Sequence, residues 1–198
     1  MARYTTLIFD LGDVLFAWSA KTRTSISPTT LHAILASSTW CLYERALISE
    51  DTCYTLTAAE FSIPSTEIRE AFIHARESLV ADHALVDFIK TVKAVHTLNV
   101  FAMSNISLPD WDVLQTKDAD WSIFDHVFTS GAAGERKPDA AFFHHVIKET
   151  GIDPQATIFV DDKAENVQTA KELGFRGIVF DDVERVKEEI SKLLGEDC

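Results

Sequence analysis

Five apolar runs of four or five residues punctuate this chain: Thr5–Phe9, Val100–Met103, His126–Thr129, Thr157–Val160 and Gly177–Phe180. Each is too short for a helix and suits a strand buried on both faces. Helical patterns lie between them. In "DHALVDFIKTVKAVHTLN" Leu85, Phe88, Ile89, Val92 and Val95 recur at helical spacing, with Asn99 as the expected stop. "PDAAFFHHVIKETG" puts Pro138 in a first turn and Gly151 just past the end, "AENVQTAKELG" stops at Gly174, and "VERVKEEISKLLG" reads as a last amphipathic helix. Strands alternating with helices predict an α/β fold around a parallel five-stranded sheet, because parallel neighbours need long crossovers and helices supply them.

One stretch breaks the alternation. "SPTTLHAILASSTW", "ISEDTCYTLTAAEF" and "PSTEIREAFIHARESL" each predict a helix, opened by Ser27-Pro28, Ser49 and Ser65, with no strand between them. Ser49 is followed three residues later by Thr52, so only half of a capping box is present. The expected organisation is a core of residues 1–16 and 82–198, with residues 17–81 inserted as a small helical unit over the sheet edge.

At 198 residues, 46% hydrophobic and 25% charged, the chain suits one core with a modest insertion. Its 18 basic and 31 acidic residues leave a formal charge of −13. That balance opposes nucleic acid or an anionic membrane as partner, although a local cation can reverse the sign inside a pocket. Cys41, Cys53 and Cys198 form no CxxC pair and read as reduced, intracellular thiols. No run reaches the ~18 apolar residues of a membrane span, and the run in "MARYTTLIFD" is too short for a signal peptide. The expectation is a soluble, cytoplasmic protein, a monomer or homodimer.

In a parallel sheet the chemistry gathers where strands deliver their C-terminal ends. The residues there are Asp10, Ser104-Asn105, Ser130 and Asp161-Asp162, with Lys137 a short loop beyond the third strand in "GERKPD". A carboxylate directly after a buried strand needs a cation, hydrogen bonds or a metal to stay ionised.

Taken singly these residues have plainer readings: a turn cap for Asp10, a solvated loop for Lys137, an N-cap pair for Asp161-Asp162. In order, however, "FDLGDV", "FAMSN", "ERKPD" and "IFVDDKAEN" resemble the four motifs of the haloacid dehalogenase (HAD) superfamily, across essentially the whole chain. The resemblance implies a Rossmann-like core with the Asp10 strand central and a helical cap of the C1 type at the insertion. It also implies a hydrolase that takes a small phosphorylated substrate through an aspartyl-phosphate on Asp10. Mg²⁺ would be held by Asp10, the backbone carbonyl of Gly12 and Asp162, with Asp161 direct or through water. Ser104, Asn105 and nearby N–H groups would bind phosphoryl oxygens, Lys137 would neutralise charge between phosphate and Asp10, and Asn166 would brace the acidic pair. Tyr43, Glu44 and Arg45 fall where the family carries substrate-selecting cap residues. His144-His145, adjacent on a helix, point in different directions and are poor co-ligands.

One position departs from the pattern. Most phosphatases of the family carry a second Asp two residues after the nucleophile, which protonates the leaving oxygen and then activates water; here that residue is Gly12. Asp13 follows, but an extended segment would point it to the opposite face, so it reads as a turn or capping residue unless a bulge turns it back. General acid–base help is worth ~10²–10⁴ in rate. Three expectations follow: a substrate with a good leaving group, such as a sugar 1-phosphate or a prenyl or terpenyl diphosphate; an acid borrowed from the cap; or phosphate binding without efficient turnover. The alternatives are a haloacid dehalogenase-type hydrolase, which the Asp161-Asp162 pair opposes, and a weakly catalytic domain partnering another enzyme such as a terpene cyclase.

Overall fold

The computed structural model describes residues 4–195. Every residue of β1 (Thr6–Phe9) is buried, as an unbroken apolar run requires of a strand covered on both faces. The chain then makes a turn and a two-residue strand, β2 (Phe16–Ala17), before four helices: α1 (Pro28–Leu35), α2 (Ser38–Glu44), α3 (Glu50–Phe61) and α4 (Ser65–Glu77). It returns through β3 (Val80–Ala81), which pairs antiparallel with β2, so outgoing and incoming chain cross side by side. Strands and helices alternate from there: α5 (His83–His96), β4 (Asn99–Ser104), α6 (Leu108–Leu114), β5 (His126–Thr129), α7 (Ser130–Ala133), α8 (Ala140–Thr150), β6 (Thr157–Asp161), α9 (Ala164–Glu172), β7 (Arg176–Val179) and α10 (Val183–Leu194).

The large sheet has the order β5-β4-β1-β6-β7, parallel throughout. Alternate residues of each strand face opposite layers. Leu7, Phe9, Val100 and Val160 meet Leu85 and Ile89 of α5 and Val186 and Ile190 of α10. On the other face Ile8, Met103 and Phe159 meet Phe142 and Phe143 of α8 and Val167 of α9. The four helices between β2 and β3 have a core of their own, centred on Leu31, Trp40, Tyr43, Tyr54 and Phe72.

The fold is the expected parallel five-stranded α/β core with a helical insertion, and several local expectations are corrected. The stretch read as one helix from Ser27 is two, because the Ser37 hydroxyl accepts the Trp40 N–H and starts α2 afresh. Helix α5 stops at Thr97 in a left-handed conformation, and Asn99 opens β4 instead of ending the helix. Pro138 precedes the Asp139 N-cap of α8 rather than lying in its first turn. Ser65 is the first helical residue of α4, after a Pro64 cap. Cys41 and Cys53 are free thiols, Cys53 buried; Cys198 and Met1–Arg3 lie outside the described residues. Among the described residues no helix is long and apolar enough to cross a membrane.

Candidate active site

Because β4, β1 and β6 are adjacent and parallel, their C-terminal ends bring Ser104, Asp10 and Asp161 together. The loop after β5 adds Lys137, and it is held in place from β4. Asn105 Oδ1 accepts the Lys137 N–H, and Asn105 Nδ2 donates to the Lys137 carbonyl, each at 2.8 Å. These bonds make the Asn105 side chain a positioning group for Lys137.

The Lys137 side chain is wholly buried, and its ammonium has three acceptors: the Met103 carbonyl at 2.6 Å, Asp161 Oδ2 at 2.6 Å and Asp10 Oδ1 at 3.1 Å. Three acceptors match its three N–H donors. Burial opposes its charge, yet Asp10 and Asp161 hold Lys137 above the ordinary lysine value. Asp161, also fully buried, has both oxygens engaged: Oδ2 by Lys137, Oδ1 by the Lys163 N–H and Asn166 Nδ2 at 2.9 Å each. Asn166 thus braces Asp161, from the first turn of α9.

Asp10 Oδ1 takes the Leu11 N–H at 2.7 Å as well as Lys137, while Oδ2 carries no hydrogen bond from a described residue. Burial pushes the Asp10 carboxyl up to about 6, with Lys137 pulling it down and the Asp161 charge adding to the rise. Asp162 is half-buried and paired through Oδ2 with the exposed Lys163. Asp10, Asp161 and Asp162 each offer an oxygen, all within 4.8 Å of one another. The open oxygens of Asp10 and Asp162 suit a hard divalent cation, which takes oxygen ligands and retains waters. Asp161, with both oxygens taken, stands behind that site.

Gly12 has an ordinary backbone conformation, and a Cβ built there meets nothing within 4 Å. Steric crowding does not explain the glycine. Asp13 sits in a left-handed turn (φ 56°) and accepts the Trp18 indole N–H at 3.1 Å, so it is a turn residue on an exposed loop. The segment expected to be extended is curled: Asp13 N–H bonds the Phe16 carbonyl and Phe16 N–H the Leu11 carbonyl.

Two cavities adjoin this cluster. A polar cleft is lined by Asp10, Asp13, Asp162, Lys163 and Arg136. An apolar cavity between sheet and helices is lined by Phe16, Trp18, Trp40, Phe72 and Leu79, with Arg76 and Asp110 paired at its wall. Gly12, Trp18, Leu35, Glu44, Ser104 and Asn105 border both. Ser104 is buried, and its hydroxyl makes no hydrogen bond to another described residue.

Of the three consecutive residues singled out in α2 and its cap, only Glu44 reaches the cavities. Tyr43 lies in the helical core with its hydroxyl on Glu50 and Arg76, and Arg45 ties the helices to the Gly134 carbonyl at 2.9 Å. Ser130, also noted at a strand end, is a latch: its hydroxyl donates to the Glu44 carbonyl at 2.7 Å and accepts the Ile106 N–H at 2.9 Å. Sequence reading missed Arg136, although it lies within "ERKPD"; its Nε donates to Glu44 Oε2 at 3.0 Å. It also missed Arg76, Asp110 and the aromatic lining, which carry no local signature.

Residues 4–174 match the family described as haloacid dehalogenase-like hydrolase. The chain belongs to that family. Two relatives are fungal. A drimenol cyclase of Aspergillus calidoustus is 42% identical over 96% of this chain, which spans only 36% of the cyclase. A sesquiterpene phosphatase of Aspergillus oryzae is 34% identical over 97% of both chains. Among solved structures, a HAD family enzyme of Bacteroides thetaiotaomicron, crystallised in complex with magnesium and inorganic phosphate, superposes with a TM-score of 0.70 at 20% identity, covering 92% of this chain and 98% of that one. The protein is thus a phosphatase-like HAD hydrolase, and the HAD sheet carries Asp10 on its central strand.

Proposed function

We propose that this HAD hydrolase is a Mg²⁺-dependent phosphohydrolase working through an aspartyl-phosphate on Asp10, with a terpenyl phosphate or diphosphate as its preferred substrate. One observation carries the reading: a polar cleft holding Asp10 and an aromatic-lined cavity share a border that includes Gly12, Glu44, Ser104 and Asn105. A ligand with an anionic head and an apolar body would occupy both at once. The names of the two fungal relatives support the same substrate class.

Residues 17–81 serve as the cap in this reading, because their aromatics form most of the apolar wall. Asp10, Asp162 and the Gly12 backbone would hold a divalent cation, which would supply the charge neutralisation that a carboxylate attacking an anionic phosphate requires. Lys137 and the Leu11 N–H orient the Asp10 carboxylate by holding Oδ1. The Asp10 oxygen bonds to phosphorus as the leaving oxygen departs with its electron pair, and water then cleaves the acyl phosphate to inorganic phosphate. Ser104 donates to a phosphoryl oxygen from its free hydroxyl. The dehalogenase alternative suffers from the second and third carboxylates, which would repel a carboxylate substrate.

The test is phosphate release with and without Mg²⁺ from p-nitrophenyl phosphate, a short alkyl phosphate and a prenyl diphosphate. Expected are metal-dependent release, its loss to background in Asp10→Asn, and a KM for the prenyl substrate that rises at least about tenfold in Trp40→Ala. Release that survives Asp10→Asn, or no turnover by folded, Mg²⁺-binding protein, would overturn the proposal.

A further inference from the structure

A departing alkoxide needs a proton, and Gly12 cannot give one. His32, Lys163 and Glu165 line the polar cleft but not the apolar cavity, so they are absent from the shared border on which Gly12 lies. Asp13 is exposed and occupied by the Trp18 indole, Asp162 faces the cation site and is paired with Lys163, and Lys137 has all its donors engaged. Glu44 differs from these. It comes from the end of α2, is 9% exposed, and borders both cavities with Gly12, Ser104 and Asn105. Only its Oε2 is bonded, to Arg136 at 3.0 Å; Oε1 accepts nothing from the described residues. The open volume beside Gly12 lies in the cleft that Glu44 walls.

Resting on the phosphohydrolase reading above, we propose that Glu44 is the general acid and then the general base of the reaction, supplied by the helical insertion in place of a side chain at Gly12. In the first half-reaction the Asp10 oxygen bonds to phosphorus, the bond from phosphorus to the leaving oxygen breaks, and that oxygen takes the Glu44 proton. In the second, water attacks the aspartyl-phosphate, its proton passes to Glu44, and the electron pair of the broken bond returns to Asp10. Phosphate leaves with the water oxygen, and both carboxyl groups are restored.

Electrostatics agree. Burial pushes the Glu44 carboxyl up to about 7, against the pull of Arg136 and with the charges of Asp110 and Asp10 adding to the rise. A group so tuned is protonated often enough to donate and ionised readily enough to accept near neutral pH. Arg136 meanwhile fixes the carboxyl plane.

The experiment compares p-nitrophenyl phosphate with an alkyl phosphate in wild type, Glu44→Gln, Asp10→Asn and the double variant Glu44→Gln with Gly12→Asp. Glutamine retains an oxygen for the Arg136 N–H, so the bridge can persist. Glu44→Gln should lower kcat on the alkyl phosphate about 10²-fold or more, with a far smaller fall on p-nitrophenyl phosphate, whose leaving group needs no proton. The added Asp at position 12 should then restore at least tenfold of the alkyl phosphate activity. Equal losses on both substrates in Glu44→Gln, no loss on either, or a double variant no better than Glu44→Gln would overturn the assignment. Activity surviving Asp10→Asn would instead sink the phosphohydrolase reading itself.

Discussion

Replacing Lys137 by methionine tests the electrostatic core of the site. The lysine is fully buried, as is Asp161, and the Asp10 side chain is only 12% exposed. Lys137→Met keeps the stem but leaves two carboxylates in low dielectric without their shared cation. Removing one partner of a buried ion pair costs about 3–5 kcal/mol. For a domain of this size that corresponds to a fall in Tm of about 6–20 °C. The pH dependence has a defined sign. Without the lysine, the folded-state pKa of Asp10, already raised by burial, rises further, so the folded variant binds the extra proton. Its deficit against wild type is therefore smallest below about pH 6, where wild-type Asp10 is itself protonated, and widens above that. In wild type the elevated Lys137 contributes stability that is complete below the ordinary lysine pKa and fades as pH passes its own raised value. Urea unfolding followed by tryptophan fluorescence, in EDTA, measures both. Adding Asp161→Asn removes one stranded charge, so the double variant should be at least about 1.5 kcal/mol more stable than the two single losses predict. Losses that add to within about 0.5 kcal/mol, or a deficit independent of pH, would refute the reasoning.

Two further changes probe how the insertion and loops seat on the sheet. Gly131→Ala puts a Cβ 2.7 Å from the Leu108 backbone nitrogen and should cost about 1–3 kcal/mol, whereas Gly12→Ala, with open space around it, should stay within about 0.5 kcal/mol of wild type; urea midpoints separate the two. Ser130→Ala removes the hydroxyl joining the Glu44 carbonyl to the Ile106 N–H and should destabilise by about 1–3 kcal/mol in the same assay.

The sheet and its polar strand ends were legible because both are local signals: a short apolar run, then an acid or a hydroxyl. Asp10, Ser104 and Asp161 needed only strand adjacency to meet. Pairings made across distance were not legible. The β2–β3 ribbon has two residues per strand and joins Phe16 to Ala81, so no window of sequence contains it. Helix α5 ends at Thr97 with φ 56°, a conformation that a β-branched residue does not advertise. In α2, Tyr43 and Glu44 are about 100° apart around the axis. Which one faces the cavity depends on the seating of the helix against Arg136 and Ser130, and neither residue is nearby in sequence. For Asn105, expected beside the substrate, the motif does not tell that its side-chain amide holds the loop carrying Lys137.

The strand order has a consequence for how such a protein is made. β1, synthesised before the other strands of its sheet, is the middle one, and its partners in β4 and β6 lie some ninety and a hundred and fifty residues further on. Until they arrive, the run Thr6–Phe9 has two unpaired edges and no covering helices, a template for pairing with another nascent chain. The same four residues carry Asp10 at their end, so the proposed nucleophile is made well before the groups that come to surround it. Shielding during synthesis, and slow closure set by contacts so distant in sequence, are built into this topology.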